Sequence, residues 1–272
     1  MKKNFFKKIL ATAIVGIMSF GLAGCGAKAE GDKLDEIKEK GTLVVGLSAD
    51  YAPYEFHIME NGEDKIVGFD VDIAKEIAKD LGVELEIMDM KFDTLISALP
   101  NDKVDLVISG LSPDEERKKA VDFSDIYYTA EHGAIVRAKD VEKYKKFTDL
   151  NGQKVGAQMG SIQADLAVEN IEDVEMQLLS NVNDLVVSLK GEKIEALVCE
   201  LPVAEMIVKN NPELVVIEES IKDEEGGSAI ALKKNSPKLL EEVNKTIARI
   251  QEEGLLDEFI VEANKLAEGI NE

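Results

Sequence analysis

The chain alternates short apolar runs with amphipathic helical patterns, and the alternation restarts halfway along. In the first half, apolar runs at Leu43–Leu47, Val83–Met90 and Val104–Ile108 predict strands, with helical patterns between them. Asp70 is predicted to cap the first of these helices, which Gly82 ends. Strands and helices in this order are typical of a parallel sheet with right-handed crossovers.

A second series of the same kind starts after about Tyr128–Glu131. Its predicted strands are Lys154–Ala157, Ile194–Val198 and Leu214–Ile217, and its predicted helices are Ser161–Asn170, a segment capped by Asn183, and Pro202–Asn210. The chain then returns through a strand at Ala229–Lys233 and helices from Pro237 to about Ala267. Ligands of such sheets bind beyond the carboxyl ends of the strands, so two series predict an α/β fold of two lobes with a ligand in the cleft between them.

The N-terminal segment predicts export. Lys2, Lys3, Lys7 and Lys8 precede an apolar run that is too short to span a membrane and ends in small residues, which is typical of a secretory signal. The sequence Leu22-Ala23-Gly24-Cys25 also looks like a bacterial lipobox, in which Cys25 becomes the lipidated N-terminus. The alternative is a plain signal with a chance cysteine. We therefore expect a signal peptide at 1–24 and a lipid-anchored tether at 25–32.

The charge and cysteine content exclude several classes of function. Removing the first 24 of 272 residues, four of them lysines, leaves 248 residues with a formal net charge of −26. Such an acidic chain is a poor nucleic-acid binder, and its membrane contact is expected to come from acyl chains alone. With Cys25 lipidated, Cys199 has no disulfide partner, and no Cys/His pattern predicts a metal site or a cofactor.

The strongest local candidate for ligand binding follows the strand Val104–Ile108. Ser109, Gly110 and Ser112 offer hydroxyls and an approachable backbone, and Arg117 offers a planar fork suited to a carboxylate. Arg117 is one of three arginines beside 29 lysines. A surface pair of Arg117 with Asp114 or Glu115 is the alternative.

Three further features are candidates, each with an ordinary alternative. Ser161 and Ile162 open a helix whose N–H groups favour an anion, although a simple N-cap serine explains the same letters. Glu200 follows a strand and is suited to an ammonium group, or is a loop carboxylate. Tyr51, with the nearby aromatic residues, and Phe92 either flank a ligand or pack the lobe.

At these residues the chain resembles the family 3 extracellular solute-binding proteins of ABC transporters, the amino-acid-binding group. The matching segments, in order from about Leu34 to Ala267, are Tyr51-Ala-Pro-Tyr-Glu, Gly68-Phe-Asp-Val-Asp-Ile-Ala-Lys-Glu-Ile, Ser109-Gly-Leu-Ser, Glu116-Arg-Lys-Lys and Val121-Asp-Phe-Ser-Asp-Ile-Tyr-Tyr. Several such segments in register are more specific than any one of them.

The resemblance implies roles for individual residues. Arg117 corresponds to the arginine that grips the α-carboxylate of an amino acid, with Ser112 and the backbone of Ser109, Gly110 and Ile162 completing a polar cradle. Glu200 stands where the family usually has an aspartate for the α-ammonium group. Further ligand-facing positions are Tyr51, Phe92, Ser48, Gln158 and Ser161. Ser48 replaces an acid found in some relatives, and whether Asp50 or Asp93 compensates stays open.

The resemblance also implies a hinged importer component. Lobe 1 is expected at 33–130 and 226–272 and lobe 2 at 131–225, with hinges near Tyr128–Glu131 and Glu224–Gly227. A monomer would capture a polar or basic L-amino acid, close, and dock on a permease with its ATPase, anchored outside a Gram-positive cell. The alternatives are an enzyme on the same fold, such as a dehydratase or a cell-wall glycosidase, and a lipoprotein adhesin or sensor whose partner is a protein.

Overall fold

The computed structural model describes residues 32–222 and 226–268. The strands are β1 (Thr42–Leu47), β2 (Asp50–Tyr51), β3 (Glu55–Glu60), β4 (Glu63–Val67), β5 (Glu84–Asp89), β6 (Leu106–Val107), β7 (Val121–Tyr128), β8 (Glu131–Arg137), β9 (Lys154–Gln158), β10 (Glu175–Leu179), β11 (Ala196–Glu200), β12 (Leu214–Lys222) and β13 (Ser228–Lys233). The helices are α1 (Lys33–Lys40), α2 (Phe69–Leu81), α3 (Leu95–Ala98), α4 (Glu115–Ala120), α5 (Ile162–Asn170), α6 (Val182–Lys190), α7 (Leu201–Asn210), α8 (Pro237–Glu252) and α9 (Leu255–Ala267). The predicted signal peptide, the predicted lipid anchor at Cys25 and most of the predicted tether lie outside the described residues.

Two five-stranded sheets form two lobes. The first has the order β5-β1-β6-β13-β7 and the second the order β10-β9-β11-β8-β12. In each sheet the fourth strand is antiparallel to both neighbours, so the other four strands run in one direction. The predicted fold class, two mostly parallel sheets flanked by helices, is confirmed.

The one antiparallel strand of each sheet is explained by the path of the chain. The chain leaves the first sheet at the end of β7 and enters the second as β8; it leaves the second at the end of β12 and returns as β13. Each of these entering strands starts from the cleft, toward which the carboxyl ends of the other strands point. An entering strand therefore runs against its neighbours.

The two crossing segments lie side by side. Tyr128 pairs with Ser228 in the first sheet, and Glu131 pairs with Lys222 in the second. Between these pairs the Thr129 hydroxyl donates to the Gly226 carbonyl at 3.0 Å. This adjacency makes the crossing a double-stranded connection.

Helix α2 begins differently from the sequence prediction. Gly68, at φ 131°, is its N-cap, and a Cβ on Gly68 would lie 2.0 Å from the Tyr54 carbonyl oxygen. Asp70 does not cap the helix; it is fully buried and accepts a hydrogen bond from the Gly110 N–H. The predicted cap at Asn183 was also wrong, because Asn181 caps α6 through its side-chain oxygen.

One apolar core continues from lobe 1 into lobe 2. Buried side chains of the first sheet and α2 form a single cluster with those of β11 and α7, including Tyr54, Ile230, Leu197 and Val203. The cleft is therefore shut over much of its depth. No helix within the described ranges combines the length and the apolar character that a membrane span requires.

Candidate functional site

Arg117 is held at the floor of the cleft by lobe 1. It is the third residue of α4, whose N-cap Asp114 accepts the Arg117 backbone N–H at 2.8 Å. The guanidinium Nε lies 3.0 Å from Asp114 Oδ2, and Nη1 donates to the Ser112 carbonyl at 2.7 Å. A planar five-donor group fixed at two points is oriented for bidentate recognition.

Arg117 also reaches lobe 2. Its Nη2 donates to the Gly160 carbonyl at 2.9 Å, and its guanidinium carbon lies 5.6 Å from the centre of the Phe92 ring. Phe92, on the turn Phe92–Thr94, and Gly160 line a cavity of about 270 Å³ with Arg117 and Asp93. The predicted carboxylate site therefore lies where the two lobes meet.

The residues of the predicted cradle already make hydrogen bonds within the protein. Ser109 accepts the Ser48 N–H at 3.1 Å through its Oγ, and its hydroxyl donates to Glu55. The Gly110 N–H donates to Asp70 at 2.9 Å, so in this structure it serves the core rather than the cleft. Gly110 has φ 49°, and a Cβ there would lie 3.4 Å from the rings of Tyr51 and Tyr54. Ser112 is buried and contributes its carbonyl to Arg117.

Helix α5 presents its N-terminus beside Gly160. Ser161 is the N-cap, but its side chain makes no cap; the hydroxyl donates back to the Gln158 carbonyl at 2.8 Å. Ile162 is the first helical residue, and the N–H groups of a first turn have no partner within the helix. This end of lobe 2 is thus suited to a negative group.

Glu200 of lobe 2 is enclosed by two tyrosines of lobe 1. It is the last residue of β11, and its side chain is buried. The Tyr54 hydroxyl donates to its carboxylate, and its own N–H donates to the Tyr51 hydroxyl at 3.1 Å. The Tyr54 ring packs on Tyr51, Phe69 and Tyr128 at centroid distances of 5.5, 4.4 and 5.7 Å. Hence both lobes contribute to a buried carboxylate lined by aromatic rings.

Asp50 forms a second polar link between the lobes. Its Oδ1 accepts from the Ser48 hydroxyl at 3.0 Å and from Gln158 Nε2 at 3.3 Å, and its Oδ2 accepts from the Val182 N–H at 2.7 Å. Val182 is the first residue of α6, so the carboxylate lies at the positive end of a lobe 2 helix. Burial raises the pKa of Asp50 to about 6 against the opposing effect of these hydrogen bonds.

The surroundings of Asp50 are acidic. Ser48 and Asp50 line a cavity of about 500 Å³ together with Asp89 and Asp184, and these three carboxylates outnumber the one lysine of the lining, Lys91. His57 lies at the same opening, 3.3 Å from Asp89 through Nε2. Such a site favours a cationic group.

All the predicted site residues lie at the junction of the lobes or directly behind it. Arg117, Phe92 and Ser112 lie near Ser161 and Ile162; Glu200 lies with Tyr51; Ser48 and Gln158 lie with Asp50; Ser109 and Gly110 form the wall behind them. The sequence analysis did not assign Tyr54, Asp114 or the Gly160 carbonyl. For Tyr54 the signal was present, because it belongs to the same aromatic segment as Tyr51.

A profile of the bacterial extracellular solute-binding proteins, family 3, matches residues 43–262. The chain belongs to this family. The arginine-binding extracellular protein ArtP of Bacillus subtilis is 41% identical, over 93% of this chain and 96% of its own length. The L-cystine-binding protein TcyJ of Escherichia coli K12 is 33% identical, over 90% of this chain and 91% of its own.

Solved structures extend the likeness to the fold. The crystal structure of the amino acid ABC transporter substrate-binding protein AbpA from Streptococcus pneumoniae, bound to L-arginine, matches with a TM-score of 0.83 and 40% identity. The match covers 86% of this chain and 99% of that one. Both ArtP and AbpA are solute-binding proteins of ABC transporters rather than enzymes. In residues 32–222 and 226–268, no cluster of His, Cys, Asp or Glu could hold a metal ion.

Proposed function

We propose that this protein is the substrate-binding component of an amino-acid ABC importer and that its ligand is a basic L-amino acid, L-arginine first. The observation that carries the proposal is the meeting of the lobes at the predicted ligand residues: Arg117 reaches Gly160, and Tyr51 and Tyr54 reach Glu200. Two amino-acid relatives support the choice, since one is named for arginine binding and the other was crystallised bound to L-arginine.

The α-carboxylate is proposed to bind between Arg117 and the start of α5. A carboxylate at this place would receive a bidentate pair from the guanidinium and the N–H of Ile162. It would take over the contact that the Gly160 carbonyl makes with Nη2. Phe92 would cover the aliphatic part of the ligand.

The α-ammonium group is proposed to bind Glu200. The Tyr54 hydroxyl now donates to that carboxylate, and an ammonium group with three donors would share it. Tyr51 would lie against the ligand's side chain. Since Glu200 belongs to lobe 2 and Arg117 to lobe 1, one zwitterion would join both lobes.

The ligand's side chain is proposed to point toward Ser48, Asp50 and Gln158. The carboxylates of Asp50, Asp89 and Asp184 around this cavity favour a guanidinium or an ammonium group over an acidic side chain. Asp50 would thus supply the carboxylate that some relatives carry at the position of Ser48. Asp93 lies instead beside Arg117.

Lobe closure is proposed to follow the path of the chain. Lobe 1 would comprise 33–130 and 226–272 and lobe 2 131–225, moving about hinges near 128–131 and 224–227. Contacts present only in the closed state shift the population toward it, and the ligand adds to those contacts. The closed monomer would then present both lobes to a permease and its ATPase.

Anchoring is proposed to occur through lipid on Cys25, with a signal peptide at 1–24. The segment Leu22-Ala23-Gly24-Cys25 supports this proposal. A lipid-tethered protein outside a Gram-positive cell would stay near its permease, which raises its effective concentration there.

A binding screen tests the function. The chain from residue 26 onward would be tested by thermal shift and calorimetry with the twenty amino acids, ornithine, citrulline and cystine. At about 100 times the dissociation constant, a bound ligand adds about 2.7 kcal/mol to the free energy of unfolding. We expect L-arginine to give the largest shift and L-glutamate none.

Other outcomes separate the alternatives. A larger shift with cystine or a neutral amino acid would contradict the basic-ligand proposal while keeping the amino-acid site. Absence of any shift would contradict the importer function and favour a protein partner. Chemical conversion of a bound amino acid would favour an enzyme.

A further inference from the structure

Two carboxyl groups are buried together behind the candidate site. Glu55 is the first residue of β3 and Asp70 the second residue of α2, and both side chains are fully buried. The two groups are close enough to hydrogen-bond to each other. Buried carboxyl groups are rare unless they have partners, so the pair calls for a physical explanation.

One oxygen of each carboxyl group accepts hydrogen bonds from Ser109 or Gly110, the residues at the wall of the cleft. Glu55 Oε1 accepts from the Ser109 hydroxyl, which in turn accepts the Ser48 N–H. Asp70 Oδ2 accepts the Gly110 N–H at 2.9 Å and the Tyr127 hydroxyl at 2.9 Å. The pair therefore fixes two consecutive residues that the sequence places in the ligand cradle.

Among residues 32–222 and 226–268, no donor reaches the remaining oxygens, Glu55 Oε2 and Asp70 Oδ1. Two carboxylates in contact in a fully buried site cannot both be ionised, because each disfavours the charge of the other. One proton between these two oxygens removes the repulsion and satisfies both atoms. The pKa values agree: burial and the Asp70 charge raise the pKa of Glu55 well above its usual range, and burial raises the pKa of Asp70 to about 7.

The hydrogen bonds decide which group holds the proton. Asp70 receives two donors, Gly110 and Tyr127, which stabilise its ionised form, whereas Glu55 receives one, from Ser109. The titratable groups that interact with the pair from other elements are Asp50 and Tyr51 on β2 and Tyr127 on β7. The charge of Asp50 disfavours ionisation of Glu55, whereas the Tyr127 hydroxyl donates to Asp70 and stabilises its ionised form.

We propose that Glu55 stays protonated at neutral pH and donates a hydrogen bond through this proton to Asp70. Glu55 thereby acts as a positioning residue for the cradle formed by Ser109 and Gly110. Loss of that proton would place two adjacent negative charges in the core and push Ser109 and Gly110 out of position. The effect on affinity rests on the proposed amino-acid site, whereas the proton itself does not.

Infrared difference spectroscopy tests the proton directly. At about pH 7 the wild-type chain should show the carbonyl band of a protonated carboxylic acid, since ordinary carboxyl groups are ionised there. The band should vanish in Glu55→Gln. It should remain in Asp50→Asn, which is a control at another buried acid of the cleft. Absence of the band from the wild type, or its persistence in Glu55→Gln, would overturn the proposal.

Calorimetry with L-arginine tests the positioning. Glu55→Gln keeps an acceptor for Ser109 and a donor for Asp70, so its affinity should stay within about threefold of wild type. Glu55→Leu keeps neither and should lose about tenfold or more. Equal affinity of Glu55→Leu and wild type would overturn the positioning role. Circular dichroism checks that each variant is folded.

The pH profile adds a readout that a merely structural role would not change. The ratio of wild-type to Glu55→Gln affinity cancels the titration of the ligand, and it should fall as the pH rises above neutral and the pair loses its proton. A constant ratio would contradict the proposal. If no variant binds L-arginine while the infrared band behaves as expected, the proposed ligand fails and the shared proton stands.

Discussion

At the scale of single residues, Arg117 is the best-defined element of the site. Its side chain is only 10% exposed, and its nitrogens contact Asp114, the Ser112 carbonyl and the Gly160 carbonyl. An arginine fixed in this way loses little conformational entropy when a carboxylate arrives. Its contribution to affinity should accordingly be large.

We predict that Arg117→Ala lowers the affinity for L-arginine by about 10²- to 10³-fold or more, because removing one partner of a buried ion pair costs roughly 3–5 kcal/mol. Calorimetry measures the change. Arg249→Ala is the matched control, since Arg249 pairs with Glu76, Asp80 and Glu253 away from the cleft. An unchanged affinity of Arg117→Ala would remove this residue from the site.

Asp50 predicts a pH dependence of stability. Its folded-state pKa is about 6, above the ordinary value of 3.8, so the folded chain retains a proton that the unfolded chain has released. Stability should therefore fall as the pH rises from about 4 to about 6, by about 3 kcal/mol in total, and should not change further on this account above that range. Urea unfolding in this pH range measures the slope.

The variant Asp50→Asn is the comparison for that slope. It has no titrating group at this position, so its free energy of unfolding should vary less between about pH 4 and about pH 6. Identical slopes in the two proteins would show that Asp50 is not the group responsible. Glu55 and Asp70 act in the same direction and are present in both proteins, so they cancel in the difference.

Sequence reasoning placed the site residues only partly. Arg117, Glu200 and Tyr51 follow strands at the expected edge, which sequence order alone predicts. Asp50 was left open because its role depends on Val182, 132 residues away along the chain. Glu55 was not assigned and Asp70 was wrongly assigned as a helix cap, because their partnership exists only after β3 and α2 have packed together.

At the scale of helices and strands, apolar runs predicted most of both sheets. The first strand, predicted at Leu43–Leu47, is Thr42–Leu47, and the last, predicted at Ala229–Lys233, is Ser228–Lys233. The hairpin of β3 and β4 was not predicted, because Glu63, Asp64 and Lys65 are exposed and carry no apolar alternation. A strand whose residues are exposed in succession gives no period-two signal in the sequence.

The crossing between the lobes predicts a contrast between two neighbouring glycines. Gly227 has φ 125°, and a Cβ there would lie 2.2 Å from the Tyr128 carbonyl oxygen; Gly226 has φ 87° and open space around that position. Gly227→Ala should lower the free energy of unfolding by more than about 3 kcal/mol in total. For Gly226→Ala, where only the backbone conformation is unfavourable, we expect a loss of roughly 1–2 kcal/mol.

Chemical denaturation measures both variants. Equal losses would show that the backbone beside Tyr128 can move aside, and the crossing would then be softer than its geometry indicates. A larger loss in Gly227→Ala than in Gly226→Ala would support a tightly fitted connection at the proposed hinge.

At the scale of the whole molecule, the proposed anchor determines where the protein is found. We predict that Cys25→Ala in the full chain moves most of the protein from the membrane fraction to the medium, because the acyl chains are its expected membrane contact. Fractionation followed by detection of the chain measures this. Cys199→Ala is the control, since Cys199 is buried and its thiol pKa is raised by burial. Retention of Cys25→Ala in the membrane would contradict lipid anchoring at this residue.

The tyrosines give the molecule its own optical reporter. The chain has no tryptophan and five tyrosines, and four of these (Tyr51, Tyr54, Tyr127 and Tyr128) lie at the cleft or in the network behind it. The hydroxyls of Tyr51 and Tyr54 contact Glu200 across the lobes. Opening of the cleft would break these bonds, so ultraviolet emission from the unlabelled chain should follow capture and release of a nutrient in real time.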